Sequence, residues 1–174
     1  MDIFANVIGI VGWKNSGKTT LVEKLVQELV ARGLRVSTIK HAHHDFDIDH
    51  PGKDSYRHRA AGAGEVIVAS ASRWALLHES RGAPEPELAE LLAKLKPCDL
   101  VVVEGFKRGP HAKIEVRRSD ANPLLAAEDA SVIAVATTDP ALAQGHPSLP
   151  LDDAAAIADF VCRAKHVATV PVNA

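Results

Sequence analysis

The segment Gly12-Trp13-Lys14-Asn15-Ser16-Gly17-Lys18-Thr19-Thr20 constrains this chain more than any other. It fits the spacing G-x-x-x-x-G-K-[ST]. The glycines permit backbone angles that other residues resist, so successive N–H groups can turn inward around phosphate oxygens. A helix starting at the same point directs its positive dipole end at the same anion. The flanking pattern agrees. Val7 to Val11 is a short apolar run that reads as a buried strand. After Lys18, apolar residues at Leu21, Val22, Leu25, Val26, Leu29 and Val30 recur at helical spacing, with Glu23, Lys24, Gln27 and Glu28 on the other face. A glycine-rich turn with an incidental lysine does not require that context. The expectation is a nucleoside triphosphate with Mg²⁺, bound by Gly12, Lys14, Asn15, Ser16, Gly17, Lys18, Thr19 and Thr20. Lys18 would reach the β- and γ-phosphates and act in catalysis, and the Thr19 hydroxyl would ligate Mg²⁺.

The rest of the chain alternates strands and helices. Gly33 ends the first helix and Arg35 to Ile39 reads as a second strand, with a crossover length that favours parallel pairing. A short helix is expected over Ser55 to Ala63. Glu65 to Ala69 and Arg73 to His78 read as a hairpin around Ser70-Ala71-Ser72. Pro84 and Pro86 precede a helix carrying Leu88, Leu91, Leu92 and Leu95. Asp99 to Val103, Lys113 to Arg118 and Ser131 to Thr137 read as further strands, and Asp152 as the cap of a last helix reaching Arg163. Val167 to Ala174 carries no clear pattern. Together these give an α/β fold: a P-loop NTPase three-layer sandwich with a mostly parallel central sheet, made mixed by the hairpin, as one domain over residues 1–174.

Composition narrows the function classes. Hydrophobic residues make up 47% of 174, which is incompatible with disorder and sufficient for one sizeable core. The net charge of −2 leaves no general electrostatic footprint for nucleic acid or an anionic membrane. Two distant cysteines, Cys98 and Cys162, make no disulfide framework and suit a reducing compartment. No apolar run reaches the length of a membrane span. The expectation is a soluble cytoplasmic protein without nucleic-acid or membrane partners.

A second group on the metal side should come from the end of another strand. Asp99 and Glu104 bracket one apolar run, and five residues at about 3.3 Å each hold them roughly 16 Å apart. Ligands of open α/β sheets gather at the carboxyl ends of strands, which favours Glu104 as the metal-side carboxylate and gives Asp99 a cap or surface role. An ordinary exposed strand end is the plainer reading of Glu104.

The block from His41 to Asp54 holds four histidines and four aspartates and leaves the same edge. As a phosphate-sensing switch, it would use Asp45, Asp47 or Asp49 to hold Mg²⁺-bound water or orient the attacking water. As a transition-metal site it would use His41, His43, His44 and His50, without helical spacing or a nearby cysteine to fix them. A solvated polar loop is the third reading. At the end of the last apolar strand, the Asp139 carboxylate can accept from both N1–H and N2–H₂ of guanine, which points to GTP; Asp139-Pro140 is also an ordinary turn starter.

Three stretches resemble the MobB family, the molybdopterin-guanine dinucleotide biosynthesis adaptor proteins. They are Gly12 to Thr20, the block from Ile39 to Asp49, and Pro51-Gly-Lys-Asp-Ser-Tyr-Arg-His-Arg59. Val103-Glu-Gly-Phe-Lys107 and Lys113-Ile-Glu-Val-Arg117 add to the likeness, which runs from about Val7 to Asp139. The resemblance implies a P-loop GTPase with GTP and Mg²⁺ as cofactors and weak hydrolysis. It also implies a homodimer, and association with molybdopterin and the molybdenum cofactor guanylyltransferase that attaches GMP to it. It carries phosphate binding onto Gly12 to Thr20, an acidic strand end onto Glu104 and a switch-like loop onto Asp45 to Asp49. Two positions depart from the wider branch. The second P-loop lysine is Lys14, one position later than in dimeric relatives, and Thr138 rather than lysine precedes Asp139.

The leading expectation is a GTP-binding adaptor with slow GTPase activity in molybdenum cofactor biosynthesis. A small-molecule kinase on the same fold, with Tyr56, Arg57 and Arg59 around an acceptor, is one alternative. A module whose nucleotide is only a structural ligand is another.

Overall fold

A computed structural model describes residues 2–42 and 46–168. The described chain falls into two compact units, one formed up to His41 and from Leu88 onward, the other by Ala42–Glu87. His43, His44 and Asp45 lie outside the described residues, as do residues 169–174.

The larger unit is built on six strands: β1 (Val7–Val11), β2 (Val36–Lys40), β5 (Leu100–Glu104), β6 (Lys113–Arg117), β7 (Val132–Thr137) and β8 (Ser148–Pro150). Their order is β2-β5-β1-β6-β7-β8, and every recorded pairing is parallel. Alternation along each strand sorts side chains to two faces. Ile8, Ile10, Leu100, Val102, Ile114 and Val116 meet helices α1 (Lys18–Ala31) and α5 (Ala154–Ala164) on one side. The opposite face packs Val7, Val101 and Val103 against Leu88 of α3 (Leu88–Leu92), and Val11 and Val135 against Ala126 of α4 (Leu125–Glu128). The three layers follow. Leu21, Leu25 and Leu29, buried at the expected helical spacing, each contribute about 1.5–3 kcal/mol of burial.

On the second face β6 is polar yet buried. Lys113 pairs with Asp129 at 3.1 Å, Glu115 accepts from the Ala126 N–H at 3.0 Å, and Arg117 donates to the Asn122 carbonyl at 2.9 Å. These bonds hold the segment carrying α4, a helix too short to show periodicity in the sequence.

The smaller unit holds helix α2 (Asp54–Ala60) and the hairpin β3 (Glu65–Ala69) and β4 (Trp74–His78). The antiparallel component expected in the central sheet is therefore a two-stranded sheet of its own. Its register, Ala69 opposite Trp74, is set by the tight link that the sequence marked. The last helix is capped by Asp153 rather than the adjacent Asp152, through a 2.9 Å bond from the Ala156 N–H. Among the described residues, no helix is long and apolar enough to cross a membrane.

Candidate nucleotide site

Parallel pairing brings six strand ends to one edge of the larger unit, and Lys18, Thr19, Glu104 and Asp139 lie there. The loop after β1 turns on Gly12 (φ 146), where a Cβ would come within 2.6 Å of the Val116 carbonyl. Gly17 (φ 97) then opens α1 in the left-handed region that favours glycine. Asn15 (φ 62) shares that region, so three of the six residues from Gly12 to Gly17 have positive φ. The first N–H groups of α1 have no helical carbonyl to satisfy them, which leaves them available to an anion at this end of the helix. The Ser16 hydroxyl is buried beside Gly12 with no hydrogen-bond partner among the described residues.

Lys18 folds back over the loop and donates to the Trp13 carbonyl at 2.6 Å. Burial and then the positive charge of Lys107 lower its pKa from the usual lysine value; Lys40 acts in the same direction and Glu104 opposes them. Thr19 Oγ1 donates to Glu104 Oε1 at 2.8 Å. Glu104 ends β5 next to β1, with Ile10 and Lys40 as its register partners. Lys40 Nζ lies 3.5 Å from the same carboxylate oxygen.

The hydroxyl and carboxylate fit a hard divalent cation. Mg²⁺–oxygen bonds of about 2.0–2.1 Å place neighbouring octahedral ligands roughly 2.9 Å apart, close to the separation found here. Thr19 and Glu104 would hold the ion directly or through one water. Bound there, Mg²⁺ would supply positive charge to offset that of nucleotide phosphates.

On the other flank of β1, Arg118 follows β6 and donates from Nε to the Ser16 carbonyl at 3.1 Å. With Lys14, Asn15, Arg117 and Asn122 it lines a cavity of about 80 Å³. Asp139 follows β7 and caps a 3₁₀ turn over Pro140–Ala143 by accepting from the Ala141 N–H at 3.0 Å. Asp99 is at the opposite, amino end of β5. Hydrogen bonds from the Arg35 side chain and N–H hold its carboxyl down at about 2.

The acidic loop belongs to the smaller unit, and there its charges are engaged. Arg59 clasps Asp47 through both terminal nitrogens, at 2.9 and 3.2 Å, reaches Asp49 at 3.2 Å and donates from Nε to Glu79 at 2.6 Å. In the kinase alternative Arg59 would serve an acceptor; here three carboxylates engage it. The expected water-positioning role of Asp47 meets the same competitor. Its partner in that role, Asp45, lies outside the described residues, and so do His43 and His44 of the transition-metal reading.

Sequence reasoning passed over three cations at this edge: Lys40, Lys107 and Arg118. Each ends or follows a strand at the carboxyl edge, so the rule that selected Glu104 applied equally to them.

Residues 7–138 match the family described as Molybdopterin guanine dinucleotide synthesis protein B, MobB. The chain belongs to the MobB family. It is 44% identical over 159 residues to the molybdopterin-guanine dinucleotide biosynthesis adapter protein of Escherichia coli, covering 89% of this chain and 90% of that one. The Haemophilus influenzae adapter of the same name is also 44% identical over 158 residues, covering 89% and 86%. The crystal structure of Bacillus subtilis MobB superposes with a TM-score of 0.73 at 28% identity, covering 91% of this chain and 97% of that one. MobB structures thus share the α/β sandwich described above.

Proposed function

We propose that this protein is a GTP-binding adapter with slow GTPase activity. It assists the nucleotidyltransferase that joins GMP to molybdopterin. Its role as an adapter in molybdopterin guanine dinucleotide synthesis rests on family membership and the 44%-identical adapters. The nucleotide part rests on one observation: Thr19 and Glu104 meet at 2.8 Å beside the glycine loop. In this reading the loop N–H groups and Lys18 hold phosphates, Thr19 and Glu104 hold Mg²⁺, and Asp139 reads guanine. Asp45 or Asp47 orients water, and the protein acts as a cytoplasmic homodimer.

Hydrolysis is slow in this reading, about 10⁻⁴ to 10⁻² s⁻¹ as in unassisted P-loop GTPases. Arg118, the arginine bonded to the loop, lies on the flank of β1 opposite Glu104, away from the metal side where the γ-phosphate belongs.

Calorimetric titration with GTP and ATP, with and without Mg²⁺, tests the reading. GTP should bind tightly only with Mg²⁺, and Lys18→Ala should weaken it about a hundredfold, the worth of one or two bonds from a charged donor. Lys18→Ala that binds GTP·Mg²⁺ as well as the parent removes the P-loop assignment. Product analysis separates the alternatives: phosphate from GTP alone marks a GTPase, and a phosphorylated acceptor marks a kinase. A pull-down of the transferase with GTP analogue, GDP or no nucleotide tests the partnership. Equal capture in all three removes a nucleotide switch, because a ligand without preference between states cannot shift them.

A further inference from the structure

Beyond Glu104 the chain runs through Gly105 (φ 99) and Phe106 (φ 50), two successive residues with positive φ. A non-glycine residue in that region is uncommon, and here the Phe106 ring stacks on His41 with centroids 4.7 Å apart. The turn carries Lys107 back over the glycine loop, where its Nζ lies 4.3 Å from the centroid of the Trp13 ring. The indole is held at its edge, since Trp13 Nε1 donates to the Pro123 carbonyl at 2.9 Å. Trp13 therefore hosts two cations, Lys107 on its ring and Lys18 on its carbonyl. Neither ammonium makes a salt bridge among the described residues.

We propose that Lys107 is a second phosphate-binding lysine, held on the Trp13 ring and drawn off it by the γ-phosphate. The inference rests on the nucleotide reading of the site. Strand order supplies the direction. Lys107 follows β5, the strand whose Glu104 meets Thr19, and β5 lies on the metal side of β1. The P-loop lysine spans the β- and γ-phosphates, so a cation entering from the metal side meets the γ-phosphate first. A cation on an exposed ring is held weakly compared with an ammonium bonded to a phosphate oxygen. The repulsion Lys18 feels from Lys107 and Lys40 is relieved by the same anion. A diphosphate satisfies Lys18 and leaves Lys107 on the ring. Lys107 thus makes the site prefer triphosphate, and Trp13 registers which nucleotide is bound.

The chain has two tryptophans, and Trp74 lies in the hairpin, so Trp74→Phe leaves Trp13 as the sole reporter. That protein is titrated with GDP·Mg²⁺ and with a non-hydrolysable GTP analogue, following Trp13 emission and heat. The analogue should bind about tenfold more tightly than GDP, the worth of one charge-assisted bond. It should also change the emission in a way GDP does not. Lys107→Met should abolish both differences while keeping GDP affinity, which shows an intact loop; Lys107→Arg should retain the preference. Lys107→Met with its preference unchanged overturns the proposal alone. A parent protein that binds neither nucleotide overturns the nucleotide reading, and the proposal with it.

Discussion

Thr19 and Glu104 are 85 residues apart in sequence, and the hydroxyl of one donates to the carboxylate of the other at 2.8 Å. Parallel pairing of β1 with β5 produces the contact by setting Ile10 opposite Glu104. Glu104→Gln keeps an oxygen that can accept from Thr19 but removes the charge that suits a divalent cation. It should cut the gain in GTP affinity that Mg²⁺ provides by about tenfold to a hundredfold, the usual cost of a lost group around a metal. Titrations with and without Mg²⁺ measure this. A gain as large as in the parent protein places the metal-side carboxylate elsewhere.

Asp139 has two oxygens and two candidate tasks. Oδ1 caps the 3₁₀ turn through the Ala141 N–H at 3.0 Å. Asn at this position can keep that cap with its amide oxygen while presenting an N–H₂ where guanine requires an acceptor. Asp139→Asn should therefore leave thermal stability unchanged, weaken GTP and strengthen xanthosine triphosphate, moving their ratio by about a hundredfold or more. Should the preference for GTP over ATP survive the substitution, Asp139 is a turn cap and the base is read by other groups.

What the sequence disclosed of this site was the part governed by backbone geometry. The glycine spacing and apolar runs place Lys18, Thr19 and Glu104 because strand ends are positions, and positions follow from periodicity. Lys107 was hidden because its direction depends on positive φ at both Gly105 and Phe106, and no pattern marks phenylalanine for that role. The engagement of Asp47 by Arg59, 12 residues away, was hidden for a related reason. A loop rich in carboxylates looks free until a buried or half-buried cation is found among them. In the fold, α4 and β8, four and three residues long, fall below any periodicity window. That the hairpin forms its own sheet is likewise a tertiary fact: local pairing fixes its register but not which sheet it joins.

His111 gives the larger unit a pH signature. It is buried with both ring nitrogens unpartnered among the described residues. Burial, with Lys113 and Lys165 adding repulsion, lowers its pKa from 6.5 to about 4. A depressed histidine favours the folded state only while neutral. Stability should therefore be flat above pH 6.5 on its account and fall as pH drops from 6.5 toward 4, where the unfolded chain takes up the proton first. The slope is at most about 1.4 kcal/mol per pH unit for this one group. Urea unfolding between pH 7 and 4.5 avoids the lower range in which Asp99, held at about 2, begins to contribute. His111→Asn should flatten the curve there; an unchanged slope would assign the effect to other groups.

Arg59 faces Asp47, Asp49 and Glu79 at once, and its burial is greater than that of a free surface arginine, with 16% of the side chain exposed. Removing the cation leaves three carboxylates crowded together, so Arg59→Met should raise amide exchange across residues 46–49 and α2. Asp47→Asn removes one partner and should loosen the same segment less. The two substitutions also separate the tasks open to Asp47. If its carboxylate serves only to anchor the loop through Arg59, both variants change GTP hydrolysis by the same small factor, and the double variant behaves like Arg59→Met, as expected for members of one network. If Asp47 orients the attacking water, Asp47→Asn alone should lower the rate by about a hundredfold, the lower range for a positioned acid or base. The bidentate geometry favours the first outcome. A carboxylate with both oxygens bonded to one guanidinium is held in one orientation, and only its remaining lone pairs can reach a water, so single-turnover hydrolysis by the three variants is the deciding measurement.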